Sequence, residues 1–191
     1  MKKLPAVLAS ASPRRQDLLR RAGIPFQVFV PNVNETVRPG AFYRETALEN
    51  ALLKAEGAAL VFPDAVVIGA DTVIELDGEI LGKPRDEQDA FHMLRRLSGR
   101  THEVVTGVAV LVKNGNIRIR FADGTKVTFK TLTDEVIRAY LKQVNVLDKA
   151  GAYGIQECGD RLLDHLEGSV NNVIGLPVER LSETLRLNAL A

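Results

Sequence analysis

Cysteine and tryptophan are the scarcest residue types in this 191-residue chain, which has one cysteine, Cys158, and no tryptophan. A single cysteine cannot form a disulfide bond within the chain, so we expect a reducing compartment. Cys158 lies in a glycine-containing segment, and no Cys–His pattern supports its use as a thiol nucleophile. We therefore interpret Cys158 as a small packing residue.

The sequence also lacks long apolar runs and blocks of like charge. No apolar stretch has the length needed to span a membrane. The first residues, "MKKLPAVLASASPRRQ", resemble a weak signal peptide, but Pro5 interrupts the apolar run and Pro13 with two arginines follows it. The formal net charge is only +1, without the basic face that general affinity for nucleic acid or acidic membranes requires. We expect a cytoplasmic protein that binds neither, in which a local basic pocket is still permitted.

Several familiar ligand-binding patterns are absent. Neither the GxGxxG fingerprint nor the P-loop consensus occurs, so no motif supports dinucleotide binding or a classical NTPase. The histidines His92, His102 and His165 are far apart and lack metal-ligand spacing, which argues against a structural zinc site. The role of His102, which follows "LSGRT", stays open between a residue at a strand edge and a ligand contact.

Helix and strand patterns alternate along the first half of the chain. Val7 to Ala9 predict a buried strand, and Ser12, Pro13 and Gly23 mark the N-cap, the first turn and the end of a helix. The further predicted elements are a strand in "IPFQVFVPNV", a helix over Arg44–Leu60, a buried strand in "AVVIGADTVIEL", a hairpin turn at Asp77-Gly78 and a helix in "RDEQDAFHMLRRLSGR".

The second half begins with a strongly alternating segment, residues 102–133. Turn signals at Asn114-Gly115 and Asp123-Gly124 divide this segment into predicted antiparallel strands. The remaining signals are a helix N-cap at Thr133, a strand pattern in "SVNNVIGLP" and a closing helix that begins near Pro177. No repeat or flexible linker interrupts the chain. The sequence therefore predicts one α/β domain over residues 1–191, with a mixed sheet bent into two lobes.

The segment "LASASPRRQDLL", residues 8–19, places hydroxyl and guanidinium groups where the first predicted helix begins. A helix N-terminus has free N–H groups and the positive end of the helix dipole, and both favour bound phosphate. Ser10 and Ser12 add hydroxyl groups, and Arg14 and Arg15 add forked, charged donors. From this segment alone the alternative stays open, namely a capped surface helix with two solvated arginines.

Charged residues also follow the later predicted strands. Asp71 comes directly after "VVIGA", at the carboxyl end of a buried strand, where open α/β sheets place their ligands. A carboxylate there can hold a divalent cation or orient a water, although a turn or capping aspartate fits the same pattern. Glu35, in a proline-flanked loop, is a weaker candidate. Three lysines are also candidates: Lys83 in the turn "LGKP", Lys54 on a helix, and Lys149 before a glycine-rich loop.

Six segments, taken together, resemble the Maf family of nucleoside triphosphate pyrophosphatases. In chain order from residue 8 to residue 177 they are "LASASPRRQDLL", "GADTV", "LGKPRD", "LSGRTHEVVTGV", "DKAGAYGIQ" and "EGSVNNVIGLP". The resemblance implies hydrolysis of the α–β phosphate bond of a nucleoside triphosphate, with a divalent metal, to a monophosphate and pyrophosphate. It also implies an α/β fold whose mixed, twisted sheet forms two lobes around a deep cleft, similar to the inosine triphosphate pyrophosphatases. Members are often homodimers.

The same resemblance implies roles for individual residues. Asp71 matches the catalytic acid–base residue, and with Glu35 it is expected to bind Mg²⁺ or Mn²⁺. Arg14, Thr72 and Gln156 match positions of substrate selection. The residues that match the phosphate side of the cleft are Ser10, Arg15, Lys54 and Lys83. "ADT" with "GIQ" is the pattern of the branch that acts on dTTP and UTP. This chain departs from that pattern at Glu157, where glycine is more usual, and in "GSVNNVIGLP", which lacks an aromatic residue.

Other functions stay open beside nucleotide-pool housekeeping by a pyrophosphatase. One is a nucleotide-binding regulator of cell division and septum formation without essential catalysis. Another is a phosphatase that releases the terminal phosphate, and a third is a pyrophosphatase that prefers 7-methyl-GTP. The products formed from each triphosphate distinguish these functions.

Overall fold

The structure is a computed structural model that describes residues 4–35 and 42–190. Its strands are β1 (Ala6–Leu8), β2 (Phe26–Val28), β3 (Val66–Leu76), β4 (Glu79–Leu81), β5 (Thr101–Val112), β6 (Ile117–Phe129) and β7 (Leu163–Glu167). Its α-helices are α1 (Pro13–Arg21), α2 (Tyr43–Ala59), α3 (Glu87–Leu97), α4 (Asp134–Leu141), α5 (Val170–Ile174) and α6 (Val178–Leu187). Short 3₁₀ helices lie at Ala150–Ala152 and Gly159–Arg161. Within the described ranges, no helix is both long and apolar enough to cross a membrane.

The seven strands belong to one mixed sheet in the order β2-β1-β3-β5-β6-β7, with β4 paired to β3. β1 runs parallel to both of its neighbours, so that Ala6 pairs with Phe26 on one side and with Val66 on the other. Parallel neighbours of this kind need crossover connections, which α1 and α2 provide. β4 and β7 are antiparallel to β3 and β6. The predicted α/β fold with a mixed sheet is confirmed.

The chain divides into two compact units. The first contains the described parts of residues 1–71, 106–123 and 175–191, and the second contains residues 72–105 and 124–174. Each of the three long strands, β3, β5 and β6, therefore contributes residues to both units. Of the candidate residues, six fall in the first unit: Ser10, Arg14, Arg15, Glu35, Lys54 and Asp71. Thr72, Lys83 and Gln156 fall in the second.

In the first unit, α2 packs on the sheet through fully buried alanines such as Ala51 and Ala55. The contact is so close that side chains on the facing strands would clash. A Cβ atom at Gly69 of β3 would lie 2.2 Å from the Ala51 carbonyl oxygen, and one at Gly107 of β5 would lie 2.4 Å from that of Ala47. Glycine is therefore required at both strand positions. This packing fixes which side chains of α2 reach the middle of β3.

In the second unit, α3 and α4 bury their apolar faces in a single core. Leu94 and Leu97 of α3 pack in this core with Ile137 and Tyr140 of α4, and all four are essentially inaccessible to solvent. Tyr140 places a hydroxyl group inside this core. The hydroxyl accepts a hydrogen bond from the backbone N–H of Gly154, in a later loop of the same unit.

Most of the predicted helix and turn signals are confirmed. α1 begins with Pro13, and Gly23 follows its end with a φ of 68°. Asp77 and Gly78 have φ values of 56° and 82°, the left-handed conformation that a tight hairpin between twisted strands requires. The hydroxyl of Thr133 accepts a hydrogen bond from the backbone N–H of Val136 and caps α4, as its sequence predicts.

The turn predicted at Asp123-Gly124 is wrong, because β6 continues through these residues to Phe129. The buried face of β6 includes Phe121, Val127 and Phe129, which keep one alternation of odd-numbered residues on both sides of the expected turn. Asp123 itself is engaged by Arg180, whose guanidinium also donates to the Ala122 carbonyl oxygen at 3.1 Å. Contacts from α6 thus satisfy an aspartate that, in the sequence alone, looks like a turn residue.

The strand predicted in "SVNNVIGLP" is also wrong, because α5 occupies Val170–Ile174. The Ser169 hydroxyl accepts a hydrogen bond from the Asn172 backbone N–H, as a capping residue does. The fully buried Asn172 side chain donates to the Val104 carbonyl oxygen and to the Thr125 hydroxyl, both at 2.9 Å. The strand in this region is β7, just before it, which no sequence pattern indicated because only two of its five residues, L-D-H-L-E, are apolar.

Candidate active site

Arg15, at the start of α1, is ordered by two side-chain hydrogen bonds. Its Nε donates to the Gly175 carbonyl oxygen at 2.8 Å, and its Nη1 donates to the Ser10 hydroxyl at 3.1 Å. The same hydroxyl accepts from the Ser12 backbone N–H at 3.2 Å, and Ser10 is only 7 % exposed. The Ser10 hydroxyl and the Arg15 guanidinium are therefore part of one partly buried arrangement, and Arg15 is not a freely solvated surface residue.

Burial lowers the pKa of Arg15 from its ordinary value, and the carboxylates of Asp71 and Glu35 oppose this effect by favouring the charged form. The positive charge of Arg14, its neighbour on α1, lowers the pKa further. A desolvated guanidinium group of this kind favours a bound anion.

Lys54 of α2 is the centre of the acidic side of the site. Its Nζ lies 2.8 Å from Oδ1 of Asp71, 2.9 Å from Oε1 of Glu35 and 3.3 Å from the Ala70 carbonyl oxygen. The lysine is 8 % exposed and Asp71 is 7 % exposed. An ammonium group has three N–H donors, and these three acceptors match them. Lys54 therefore bridges the two carboxylates that the sequence predicted as metal ligands.

Asn50 holds the other oxygen of Asp71 and is the residue that sequence reasoning missed. Its Nδ2 donates to Oδ2 of Asp71 at 3.1 Å, and Asn50 is 3 % exposed. Asn50 precedes Lys54 by four residues, so both side chains lie on the same face of α2. The available signal was a polar residue four positions before a lysine, on a helix face that is otherwise formed by alanines and Thr46.

The carboxylates of this site can bind a divalent cation only if water or substrate phosphate supplies further oxygen ligands. Within the described residues, no group of three or more His, Cys, Asp or Glu side chains is placed to hold a metal ion. Only the two carboxylates of Asp71 and Glu35 meet here, among the described residues, and both form ion pairs with Lys54. Mg²⁺ is commonly held by one or two carboxylates, with water and substrate phosphate supplying the other oxygens. The donor set fits this mode of binding and does not fit a metal site formed by protein alone.

The second unit contains the other three predicted residues. Thr72 is half-buried in β3, directly after Asp71 in the chain. Lys83 is exposed in the turn after β4, where the backbone N–H of Gly151 donates to the Gly82 carbonyl oxygen at 2.9 Å and holds the turn. Gln156 is exposed in the loop that follows Tyr153.

His102 is a buried core residue of the second unit and not a residue at an exposed strand edge. It is 3 % exposed, and its Nε2 lies 2.7 Å from the Tyr153 hydroxyl. The ring also contacts Phe129 edge-on, with 5.0 Å between the ring centroids. Burial lowers the pKa of His102 to about 4, so the imidazole is neutral at pH 7.

Comparisons with known proteins agree with this architecture. A family model described as "Maf-like protein" matches residues 5–188, nearly the whole chain. A protein of Akkermansia muciniphila named dTTP/UTP pyrophosphatase is 45% identical over 181 residues, which are 95% of each chain. A Bacillus cereus protein of the same name is 44% identical over 186 residues, covering 97% of this chain and 90% of its own. A third, from Bacillus anthracis, is 43% identical over 180 residues, covering 94% and 93%.

The fold is also similar to that of a solved structure. The Ham1 protein of Staphylococcus aureus matches with a TM-score of 0.55, covering 96% of this chain and 99% of its own. The sequence identity is 18%, so this likeness concerns the fold alone. This likeness agrees with the α/β architecture that the sequence predicts.

Proposed function

The chain belongs to the Maf family, and we propose that it hydrolyses the α–β phosphate bond of dTTP and UTP, releasing a nucleoside monophosphate and pyrophosphate. The observation that carries this proposal is the arrangement of Arg15, Lys54 and Asp71 in the first unit. Desolvated cations lie beside a buried carboxylate there, which suits a substrate with several negative charges and a reaction that needs a proton acceptor. The relatives named dTTP/UTP pyrophosphatase support the reaction and the nucleotide class.

Positive groups of this chain bind the phosphates. Arg15 is ordered before substrate arrives by its hydrogen bonds to Ser10 and to the Gly175 backbone. A side chain that is already ordered loses little conformational freedom on binding, so more of its interaction energy contributes to affinity. We assign Ser10, Arg15, Lys54 and Lys83 to phosphate binding. Phosphoryl transfer depends mainly on positioning and on charge stabilisation, which these groups supply.

Asp71 accepts the proton of the attacking water in this proposal. One of its oxygens accepts a hydrogen bond from Lys54 and the other accepts one from Asn50. Each carboxylate oxygen can accept two hydrogen bonds, so both retain capacity for a water molecule. The water oxygen adds to phosphorus, its proton passes to Asp71, and the bond from phosphorus to the bridging oxygen breaks. Asn50 keeps the carboxylate oriented during this step.

Asp71 and Glu35 are the residues that would hold Mg²⁺ or Mn²⁺ together with the triphosphate. A divalent ion in such a site neutralises phosphate charge and orients the reacting oxygens. The same two carboxylates contact Lys54. We therefore expect Lys54 and the ion to compete for carboxylate oxygens, with Lys54 turning toward phosphate when the substrate is bound.

Arg14, Thr72 and Gln156 select the nucleotide in this proposal. A site that forms hydrogen bonds to its substrate rejects an analogue without the matching groups more strongly than an apolar pocket does. Arg14 belongs to the start of α1, Thr72 to β3, and Gln156 to an exposed loop position. Their side chains offer the donors and the amide oxygen that such selection needs.

The test is a product assay on the purified full chain with Mg²⁺ or Mn²⁺. dTTP, UTP, CTP, GTP and 7-methyl-GTP are supplied separately, and pyrophosphate, orthophosphate and monophosphate are quantified. We expect pyrophosphate and monophosphate in equal amounts, with the highest kcat/KM for dTTP and UTP. Orthophosphate as the first product identifies a terminal phosphatase, and binding without turnover identifies a nucleotide-binding regulator. Highest activity on 7-methyl-GTP contradicts the proposed substrate.

A further inference from the structure

The loop that contains Gln156 is fixed at its start by buried polar groups of the second unit. The Gly154 backbone N–H donates to the Tyr140 hydroxyl at 2.9 Å. The hydroxyl of Tyr153 lies 2.7 Å from Nε2 of His102. Tyr140, Tyr153 and His102 are all buried. The chain therefore enters this loop from a rigid core, two residues before Gln156.

Lys149, which has no role in the proposed reaction, is a buried lysine packed against this loop. Lys149 is 5 % exposed, and its Nζ donates to the Asn145 carbonyl oxygen and to Oδ1 of Asp148 at 2.9 Å. Oε2 of Glu157 lies 3.4 Å from the same Nζ and forms an ion pair with it. Two hydrogen bonds and this ion pair thus surround the buried ammonium group. Burying this charge without such partners would be strongly unfavourable.

The stem of Lys149 also touches the loop backbone. A Cβ atom at Gly154 would lie 2.9 Å from Cε of Lys149 and 3.2 Å from Cδ, so the lysine packs directly against this glycine. Lys149 therefore contacts Gly154, two residues before Gln156, and forms an ion pair with Glu157, the residue directly after it. The position of the Gln156 backbone depends on both contacts.

We propose that Lys149 and Glu157 are positioning residues that set the nucleotide preference by fixing the place of Gln156. The inference rests on the proposed function, in which the amide of Gln156 hydrogen-bonds to the base. Hydrogen-bonded recognition tolerates displacements of only about 0.5 Å before specificity falls. Glu157 is half-exposed, with a side chain 42% accessible, so its carboxylate acts through Lys149 and not through packing in the core.

The test compares nucleotide preference among variants of the full chain. Glu157→Ala removes the carboxylate partner, and Lys149→Met removes the charge while keeping a stem against Gly154. The readout is the ratio of kcat/KM for dTTP to that for CTP, with the thermal midpoint measured for every variant. We expect Glu157→Ala to lower this ratio about threefold to tenfold, within the range of coupling between contacting residues. Lys149→Met should shift it in the same direction.

A matched control is available in the first unit. Glu56 forms a 2.7 Å ion pair with Arg118, and its side chain is 44% exposed, close to the exposure of Glu157. Glu56→Ala therefore makes the same chemical change at a similar degree of exposure, in the other unit of the chain. We expect it to leave the dTTP-to-CTP ratio unchanged. A ratio that falls equally in both variants contradicts the inference.

The decisive arm is the double variant Gln156→Ala/Glu157→Ala. If Glu157 acts through Gln156, the double variant has the same ratio as Gln156→Ala alone. A further fall in the double variant, or an unchanged ratio in Glu157→Ala, contradicts the inference while the pyrophosphatase activity stands. A Gln156→Ala variant with the wild-type ratio also contradicts it, because nothing is then positioned for recognition. A wild-type protein that releases no pyrophosphate contradicts the proposed function itself.

Discussion

The Nζ atom of Lys54 lies 2.8 Å from Oδ1 of Asp71, and each of these side chains is only 10% exposed. The contact joins a helix to a strand, since Lys54 belongs to α2 and Asp71 to β3. Lys54 also reaches Glu35 at 2.9 Å. One cation thereby sets the orientation of both carboxylates before a substrate binds.

Removing the charge of Lys54 should impair both catalysis and folding stability. Lys54→Met leaves the buried Asp71 without its cation, and we expect the free energy of unfolding to fall by about 3 kcal/mol. Because a positioned charge near the reacting phosphate is lost, kcat/KM for dTTP should fall about a hundredfold or more. Steady-state kinetics and urea unfolding measure the two effects. Lys113→Met, at an exposed lysine of the same unit, should change neither; an active Lys54→Met variant contradicts the assigned role.

Asn50 should matter for kcat more than for KM. Asn50→Ala removes the donor to Oδ2 of Asp71, so the carboxylate loses one of its two protein hydrogen bonds. A hydrogen bond to a charged group contributes about 1.5–3 kcal/mol, which corresponds to a kcat lower by about tenfold to a hundredfold. We expect KM for dTTP to change by less than about threefold, because Asn50 binds the carboxylate and not the substrate. An unchanged kcat contradicts this assignment.

Arg15 should not be replaceable by lysine. Its fork donates to Ser10 and to Gly175 at the same time, and the single ammonium of a lysine cannot reproduce that geometry. We expect Arg15→Lys to raise KM for dTTP about tenfold, while the net charge is unchanged. Arg20→Lys is the matched control on the same helix, since Arg20 is exposed and pairs with Asp17. Equal KM values in the two variants contradict an ordering role for the Arg15 fork.

His102 should make the fold sensitive to mild acid. Burial lowers its pKa from 6.5 to about 4, so the unfolded chain binds a proton between these pH values that the folded protein does not. This contribution to stability is fully present above pH 6.5 and is lost as the pH falls toward 4, to a total of about 3 kcal/mol. Urea unfolding at pH 7 and at pH 4.5, in the wild type and in His102→Gln, measures it. Equal losses of stability in both proteins contradict the prediction.

Local sequence signals were sufficient for most elements of the fold. Pro13, Asp77-Gly78 and Thr133 specify a helix start, a tight turn and a cap through their own backbone and side-chain chemistry, and these predictions are confirmed. Ser12 occupies the predicted N-cap position, but its side chain forms no capping hydrogen bond. The turn predicted at Asp123-Gly124 and the strand predicted in "SVNNVIGLP" are wrong because contacts with residues distant in sequence decide the structure of these segments. Arg180 engages Asp123, and the buried Asn172 needs partners in β5 and β6.

The candidate site was predictable only in part from sequence. The resemblance to the Maf family named Asp71, Lys54 and Glu35, but their mutual contacts depend on how α2 packs on β3. The Ala51–Gly69 contact decides that packing, and no local pattern shows it. Asn50 was missed for the same reason, since its role follows from the tertiary contact with Asp71. The roles of all the candidate residues, Asp71, Lys54 and Glu35 included, stay predictions.

The decisive measurement is product analysis with Asp71→Asn beside the wild type, using dTTP and Mg²⁺, together with calorimetric titration of dTTP into the variant. The asparagine keeps the size of the side chain but cannot accept the proton of the attacking water. We expect the wild type to release equal amounts of thymidine monophosphate and pyrophosphate. The folded variant should bind dTTP and lose at least about a thousandfold in kcat. A variant that releases pyrophosphate at the wild-type rate would contradict the role of Asp71.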